Sequence, residues 1–160
     1  SIGRPLVLAG WSMGVSVILR MAELHGLGPA ERLVLVSGTM RAGPPEAAWF
    51  RADDLDGLRT EARARAERLG LSAVADAEAV AGGWQSVRGL DLRGGAARID
   101  RPTLVVHGED DDQCPLAHGR ALAEAIPGAR WHALPGIGHN VLSAAPQALA
   151  VLIDAASLPD

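Results

Sequence analysis

The sequence predicts an α/β fold: a parallel sheet of about four strands, flanked by helices and interrupted by a helical insertion. Three observations predict it. Short continuous apolar runs alternate with stretches of helical period. The first three runs end at Gly10, Ser37-Gly38 and His107-Gly108, which suits strands buried on both faces of a parallel sheet. Between Met40 and Arg98 this rhythm breaks and only helical periodicity remains.

The elements follow in order. Leu6 to Ala9 reads as the first strand. Val17, Ile18, Met21 and Leu24 then recur at helical spacing over Met13 to Leu24, and His25-Gly26 closes that helix. Leu33 to Val36 and Thr103 to Val106 are the second and third strands. Leu116 to Ile126 reads as a helix stopped by Pro127-Gly128. Arg130 to Leu134 alternates more and so lies nearer a sheet edge. Val141 to Ala156 is a closing helix. In the insertion, Leu55, Leu58, Ala62, Ala66 and Leu69 share one face of a helix that begins after Asp53 or Asp54 and ends at Gly70. A second helix fits Ala73 to Ala81, capped by Ser72 and stopped by Gly82-Gly83. The expected division is a core of residues 1–41 and 99–160 with a helical segment of 42–98.

Composition narrows the function. With 160 residues and 48% apolar content the chain can bury one substantial core. A net charge of −4 offers no basic surplus for phosphates, so nucleic acid is not an expected partner. All 15 basic residues are arginine, which excludes a Schiff-base lysine and a Walker lysine. This arginine-only usage, with abundant alanine and glycine, suggests a bacterial source. The single Cys114 forms no intrachain disulfide, and no apolar run approaches the roughly 20 residues of a membrane helix. The expectation is a cytoplasmic chain without membrane association. It opens on Ser1 rather than Met, which points to a segment upstream.

The chemistry starts at Gly10-Trp11-Ser12-Met13-Gly14, between the first strand and its helix. A serine hydroxyl needs a base and an exposed position to act as a nucleophile. A sharp strand-to-helix corner presents it at the carboxyl end of the sheet, beside the free N–H groups of the helix. Gly10 and Gly14 permit the tight backbone and close strand–helix packing, and the Met13 N–H would serve as an oxyanion donor. The same string also fits a glycine-bounded turn with Ser12 as a plain helix N-cap. The nucleophile reading requires an acid and then a histidine, each just past a strand end. The third strand runs into the acid cluster Glu109 to Asp112, and the fourth is followed by Gly138-His139.

Together these segments resemble the carboxyl-terminal half of an α/β-hydrolase, over residues 1 to about 41 and about 99 to 156. The four strands would then correspond to strands five to eight of that fold. The family pattern G-x-x-D-x-x-V-P is met by Gly108, Asp111 and Pro115, so the resemblance makes Asp111 the acid, with Cys114 in a packing slot. Ser37-Gly38-Thr39 holds no carboxylate where some members carry the acid instead. His139 would take the Ser12 proton and Asp111 would orient its imidazole. Val15 departs from a frequent second glycine after the elbow. The resemblance also implies earlier strands and a His-Gly-type loop carrying the second oxyanion donor, neither of which precedes Leu6 here. Hence the expectation of a raw sheet edge at Leu6 to Ala9, and of a missing amino-terminal segment or a partner chain that supplies it.

In this family an insertion such as 42–98 is a lid. Trp11, Trp49 and Trp84 are assigned to substrate contact, while Trp49, Phe50 and Trp84 equally suit packing of the lid onto the body. Arg63, Arg65 and Arg68 with Glu61 and Glu67 read as a solvated helix face. His107 reads as a polar strand terminus, His25 as a helix end, and His118 and His132 as surface or half-buried groups. The acid cluster lacks spaced metal ligands, nothing adjacent lowers the Cys114 pKa, and no metal or cofactor is implied.

The reading is thus a serine hydrolase acting through an acyl-enzyme on a small-molecule substrate. The resemblance implies a carboxylic ester first, with thioesters, lactones, peptide N-termini and perhydrolysis known on the scaffold. The alternative is a non-catalytic hydrolase-like binding module, or an inactive fragment without its amino-terminal half. A nucleotide-binding fold lacks any G-x-G-x-x-G after a strand.

Overall fold

A computed structural model describes residues 6–42, 50–68, 70 and 75–157. They divide into two compact units, one formed by Ser1–Met40 with Asp91–Asp160 and one by Arg41–Leu90.

The larger unit is built on four parallel strands in the spatial order β1-β2-β3-β4. These are β1 (Val7–Trp11), β2 (Arg32–Val36), β3 (Thr103–Gly108) and β4 (Arg130–Leu134). Parallel pairing requires a crossover between neighbours, and helices supply them. They are α1 (Met13–Leu24) between β1 and β2, and α5 (Leu116–Ala125) between β3 and β4. The register sets Leu8 beside Leu33, Val34 beside Leu104, and Val106 beside His132.

Burial explains the composition of each strand. β2 and β3 are central, and Leu33 to Val36 and Leu104 to Val106 are buried on both faces. Full burial of a leucine stabilises by about 1.5–3 kcal/mol, which accounts for their unbroken apolar runs. β4 lies at an edge and alternates, as its sequence predicts. β1 forms the other edge and is only partly buried, so its apolar run does not mark burial on both faces.

One face of the sheet presents Val34, Val36, Leu104 and Val106 to Val141 of α6 (Val141–Ala144) and Leu149 of α7 (Pro146–Ser157). The expected single closing helix is these two pieces. Pro146 has no N–H to continue the first, and it biases Ala145 away from helical geometry, which sits at φ −139° and ψ 50°. α1 and α5 pack on the sheet, with a short unforeseen helix α4 (Arg93–Ala97) against α1. Gly95 makes that approach feasible, because a Cβ there would stand 2.2 Å from the Leu19 carbonyl oxygen.

The smaller unit is a pair of helices, α2 (Leu55–Arg68) and α3 (Ala77–Val87). Asp54 caps α2 through the Gly57 N–H at 2.8 Å, and Asp76 caps α3 through the Glu78 N–H at 2.7 Å. Phe50, Leu58, Ala62, Ala81 and Trp84 form its core. The second helix therefore runs later than expected, and Gly82-Gly83 lie inside it rather than ending it. Ser72 and Leu69 lie outside the described residues. Arg59 bridges Asp56 and Glu78 on the exposed side. No helix among the described residues is long and apolar enough to cross a membrane.

Candidate active site

Three strand ends converge at the carboxyl edge of the sheet. Ser12 follows β1, Asp111 follows β3 and His139 follows β4. Ser12 sits at φ 55° and ψ −118°, a conformation that costs a non-glycine residue about 1–3 kcal/mol. Its N–H donates to the Val36 carbonyl at 2.8 Å, and its carbonyl accepts from the Val15 N–H at 3.0 Å. The corner is thus held between the strand ladder and the first turn of α1.

The two glycines do not contribute equally. A Cβ on Gly10 would stand 2.7 Å from Ile18 Cδ1 and 2.8 Å from the Gly14 carbonyl, so this position needs glycine. A Cβ on Gly14 would meet nothing within 4 Å, so the expected packing role belongs to Gly10 alone.

Ser12 occupies the N-cap position, yet its hydroxyl makes no hydrogen bond to the helix backbone. It lies 2.9 Å from His139 Nε2. His139 Nδ1 lies 3.0 and 2.9 Å from the two carboxylate oxygens of Asp111. An ionised carboxylate only accepts, so the proton belongs on Nδ1. That leaves the Nε2 lone pair facing the Ser12 hydroxyl.

Asp111 is buried and well supplied with donors. Its Oδ1 also accepts from the amides of Gln113 at 3.0 Å and Cys114 at 2.8 Å. His107 Nε2 lies 3.3 Å from Oδ2 and 2.7 Å from the Cys114 carbonyl, which fixes the proton on that nitrogen. Burial pushes the Asp111 carboxyl up, but these N–H groups from His107, His139 and Cys114 outweigh it. The net result lies well below the usual carboxylate range. Asp110, Asp112 and Glu109 are exposed. Among the described residues no group of three or more His, Cys, Asp or Glu side chains is placed to hold a metal ion.

The loop carrying His139 is fastened on both sides. The Asp110 N–H donates to the Ile137 carbonyl at 3.0 Å. Gly108 lies so close beneath that a Cβ would stand 2.2 Å from the same oxygen. On the other side the Trp11 indole N–H donates to the His139 carbonyl at 3.0 Å. Met13 is the first residue of α1, so its N–H has no partner within the helix.

Trp84 packs edge-on against Phe50 within the core of the smaller unit, with ring centroids 5.8 Å apart, instead of standing open to a ligand. Trp49 lies outside the described residues. Cys114 is buried, its thiol 3.4 Å from the Gly38 carbonyl and pushed up to about 12 by burial and by the Asp111 charge. His118 is half-buried, with Nδ1 2.8 Å from Thr39 Oγ1. Sequence reasoning missed the contact of His107 with Asp111. Its one local signal is the spacing of four residues across the strand end.

A serine, a carboxylate and a histidine thus lie hydrogen-bonded in series past the ends of three parallel strands. The Alpha/beta hydrolase family matches residues 1–152, and the chain belongs to it. A curated relative, the non-heme chloroperoxidase of Kitasatospora aureofaciens, is 27% identical over 86% of this chain and 62% of its own length. A hydrolase from Pseudomonas aeruginosa superposes with TM-score 0.72 at 30% identity, over 96% of this chain and 64% of that one. The enol-lactonase of Burkholderia xenovorans superposes with TM-score 0.72 at 25% identity, over 96% and 65%. The chain thus spans less than two thirds of the length of each.

Proposed function

We propose that this chain carries a serine hydrolase site that cleaves a carboxylic ester or related acyl bond through an acyl-enzyme. The observation that carries the reading is the continuous hydrogen-bonded path from Ser12 through His139 to Asp111. Ser12 Oγ attacks the substrate carbonyl carbon while its proton passes to His139 Nε2. The tetrahedral oxyanion accepts from the Met13 N–H, a type of interaction worth about 2.7–4 kcal/mol per donor. Collapse breaks the acyl–oxygen bond, and His139 gives the proton to the leaving alkoxide. Water then attacks the acyl-enzyme, yields a proton to His139, and releases the acid with the proton returned to Ser12. Asp111, held ionised by its donors, stabilises the imidazolium formed in both halves.

The helical segment is proposed as the element that selects the acyl group, on the strength of the family resemblance. The similarity to an enol-lactonase supports lactones, which are cyclic esters, as substrates to try beside simple esters. The test is hydrolysis of short p-nitrophenyl esters by the chain and by Ser12→Ala, Asp111→Asn and His139→Ala. Turnover lost in Ser12→Ala and His139→Ala, and lowered by orders of magnitude in Asp111→Asn, is the expected result. Equal turnover in all four proteins would overturn the assignment.

A further inference from the structure

Trp11 ends β1, next in the chain to Ser12, and its indole reaches a residue 128 positions away. The N–H donates to the His139 main-chain carbonyl at 3.0 Å, and the two rings lie 5.5 Å apart at 42°. The same carbonyl accepts from the Val141 N–H at 3.0 Å, so it is saturated from two sides. We infer that Trp11 is a positioning residue for His139, holding the base at a fixed distance from the serine. The inference rests on the hydrolase reading and deepens it.

During turnover the imidazole must take a proton from Ser12 and then give it to a leaving group. The direct Ser12–His139 hydrogen bond is therefore broken and remade, and cannot by itself hold the ring. On the β3 side the loop is fastened by the Asp110 N–H and the tight passage over Gly108. On the β1 side the fastening is the Trp11 indole, and this one is covalently tied to the nucleophile's own corner. The indole is carried by the residue directly before Ser12, so one end of the tether is anchored at the main chain of the elbow itself. It thus couples two sheet ends that are not neighbours, β1 and β4. A misplacement of about 1 Å in such a pair costs on the order of a hundredfold in rate. The ring is partly exposed, so a contact with substrate is the competing role, and the two roles separate kinetically.

The experiment compares the chain with Trp11→Phe and with Trp11 replaced by benzothienylalanine, in which sulfur takes the place of the N–H without changing the ring shape. The second variant keeps the test intact should Trp11→Phe not fold. Steady-state hydrolysis of p-nitrophenyl acetate and butyrate is measured beside amide hydrogen exchange over residues 135–141. Positioning predicts that kcat falls by about tenfold for both esters with KM unchanged, and that exchange at Val141 accelerates. Loss in Trp11→Phe only, with the sulfur analogue active, overturns the inference. So does a KM that rises with acyl length at constant kcat, which marks a substrate wall. Failure of the hydrolase reading has its own signature, an unmodified chain that turns over neither ester. In that case the exchange arm alone decides: accelerated exchange upholds the tether, and unchanged exchange overturns it.

Discussion

The hydroxyl of Ser12 lies 2.9 Å from His139 Nε2 and makes no bond to the helix it precedes. A serine that only capped α1 would accept from an amide of the first turn, with an ordinary β-region backbone. Ser12 instead holds a left-handed φ of 55°, which stores strain at the position of the proposed chemistry. Ser12→Gly relieves that strain and Ser12→Ala does not. We expect Ser12→Gly to unfold at higher urea than Ser12→Ala, by about 1 kcal/mol after the entropy cost of glycine, while neither variant turns over ester. A Ser12→Gly chain less stable than Ser12→Ala would mean that the corner is unstrained.

The Asp111 carboxyl is held below its ordinary range, and the consequence has a definite sign. A group whose folded pKa is depressed contributes stability above its unfolded value, about 3.9, and loses it as pH falls through the folded value. The stability gap between the native chain and Asp111→Asn should therefore be constant from pH 7 to about pH 5 and shrink below about pH 4. Denaturant unfolding at each pH reads this directly. A gap that stays constant or widens as pH falls from about 5 to about 2 would mean that the carboxyl is not stabilised in its charged form.

Cys114 presents its amide to Asp111, its carbonyl to His107 and its thiol to Gly38, all inside the protein. With the thiol pushed up to about 12, almost no thiolate exists at pH 8. Ellman's reagent should leave the native chain unmodified and titrate one thiol only in denaturant. Rapid reaction of the native chain would place Cys114 at an accessible surface.

The two elbow glycines should respond differently. Gly10→Ala drives a Cβ into Ile18 and the Gly14 backbone, an overpacking that costs about 1–3 kcal/mol or more and displaces Ser12. Gly14→Ala enters open space inside a helix and should be neutral or stabilising. Thermal melts of the two variants check this, and equal destabilisation would contradict it.

Legibility in the sequence followed the range of the interactions. The bounds Met13–Leu24 and Arg130–Leu134 are legible because flanking breakers are local, but the buried face of α1 is not: Val17, Met21 and Leu24 are exposed, and Val15, Ile18, Leu19 and Ala22 are buried. Gly82-Gly83 misled for a tertiary reason: burial of Ala81 and Trp84 outweighs the roughly 1 kcal/mol that each glycine costs a helix. The break at Ala145 was written in Pro146 but masked by the apolar period around it. α4 carries Arg93-Gly94-Gly95-Ala96-Ala97, which has no apolar period to read. Ser12, Asp111 and His139 were each marked by short motifs at strand ends. The donors that place them were not, because Trp11 meets His139 across 128 residues.

The most direct test of the account is labelling with a small fluorophosphonate, with the adduct mapped by mass spectrometry, on the chain and on Ser12→Ala and His139→Ala. The account predicts one adduct on Ser12, absent from Ser12→Ala and formed at least a hundredfold more slowly in His139→Ala, about the effect of losing a general base. A folded chain in which Ser12 takes no label, or labels equally fast without His139, would contradict it.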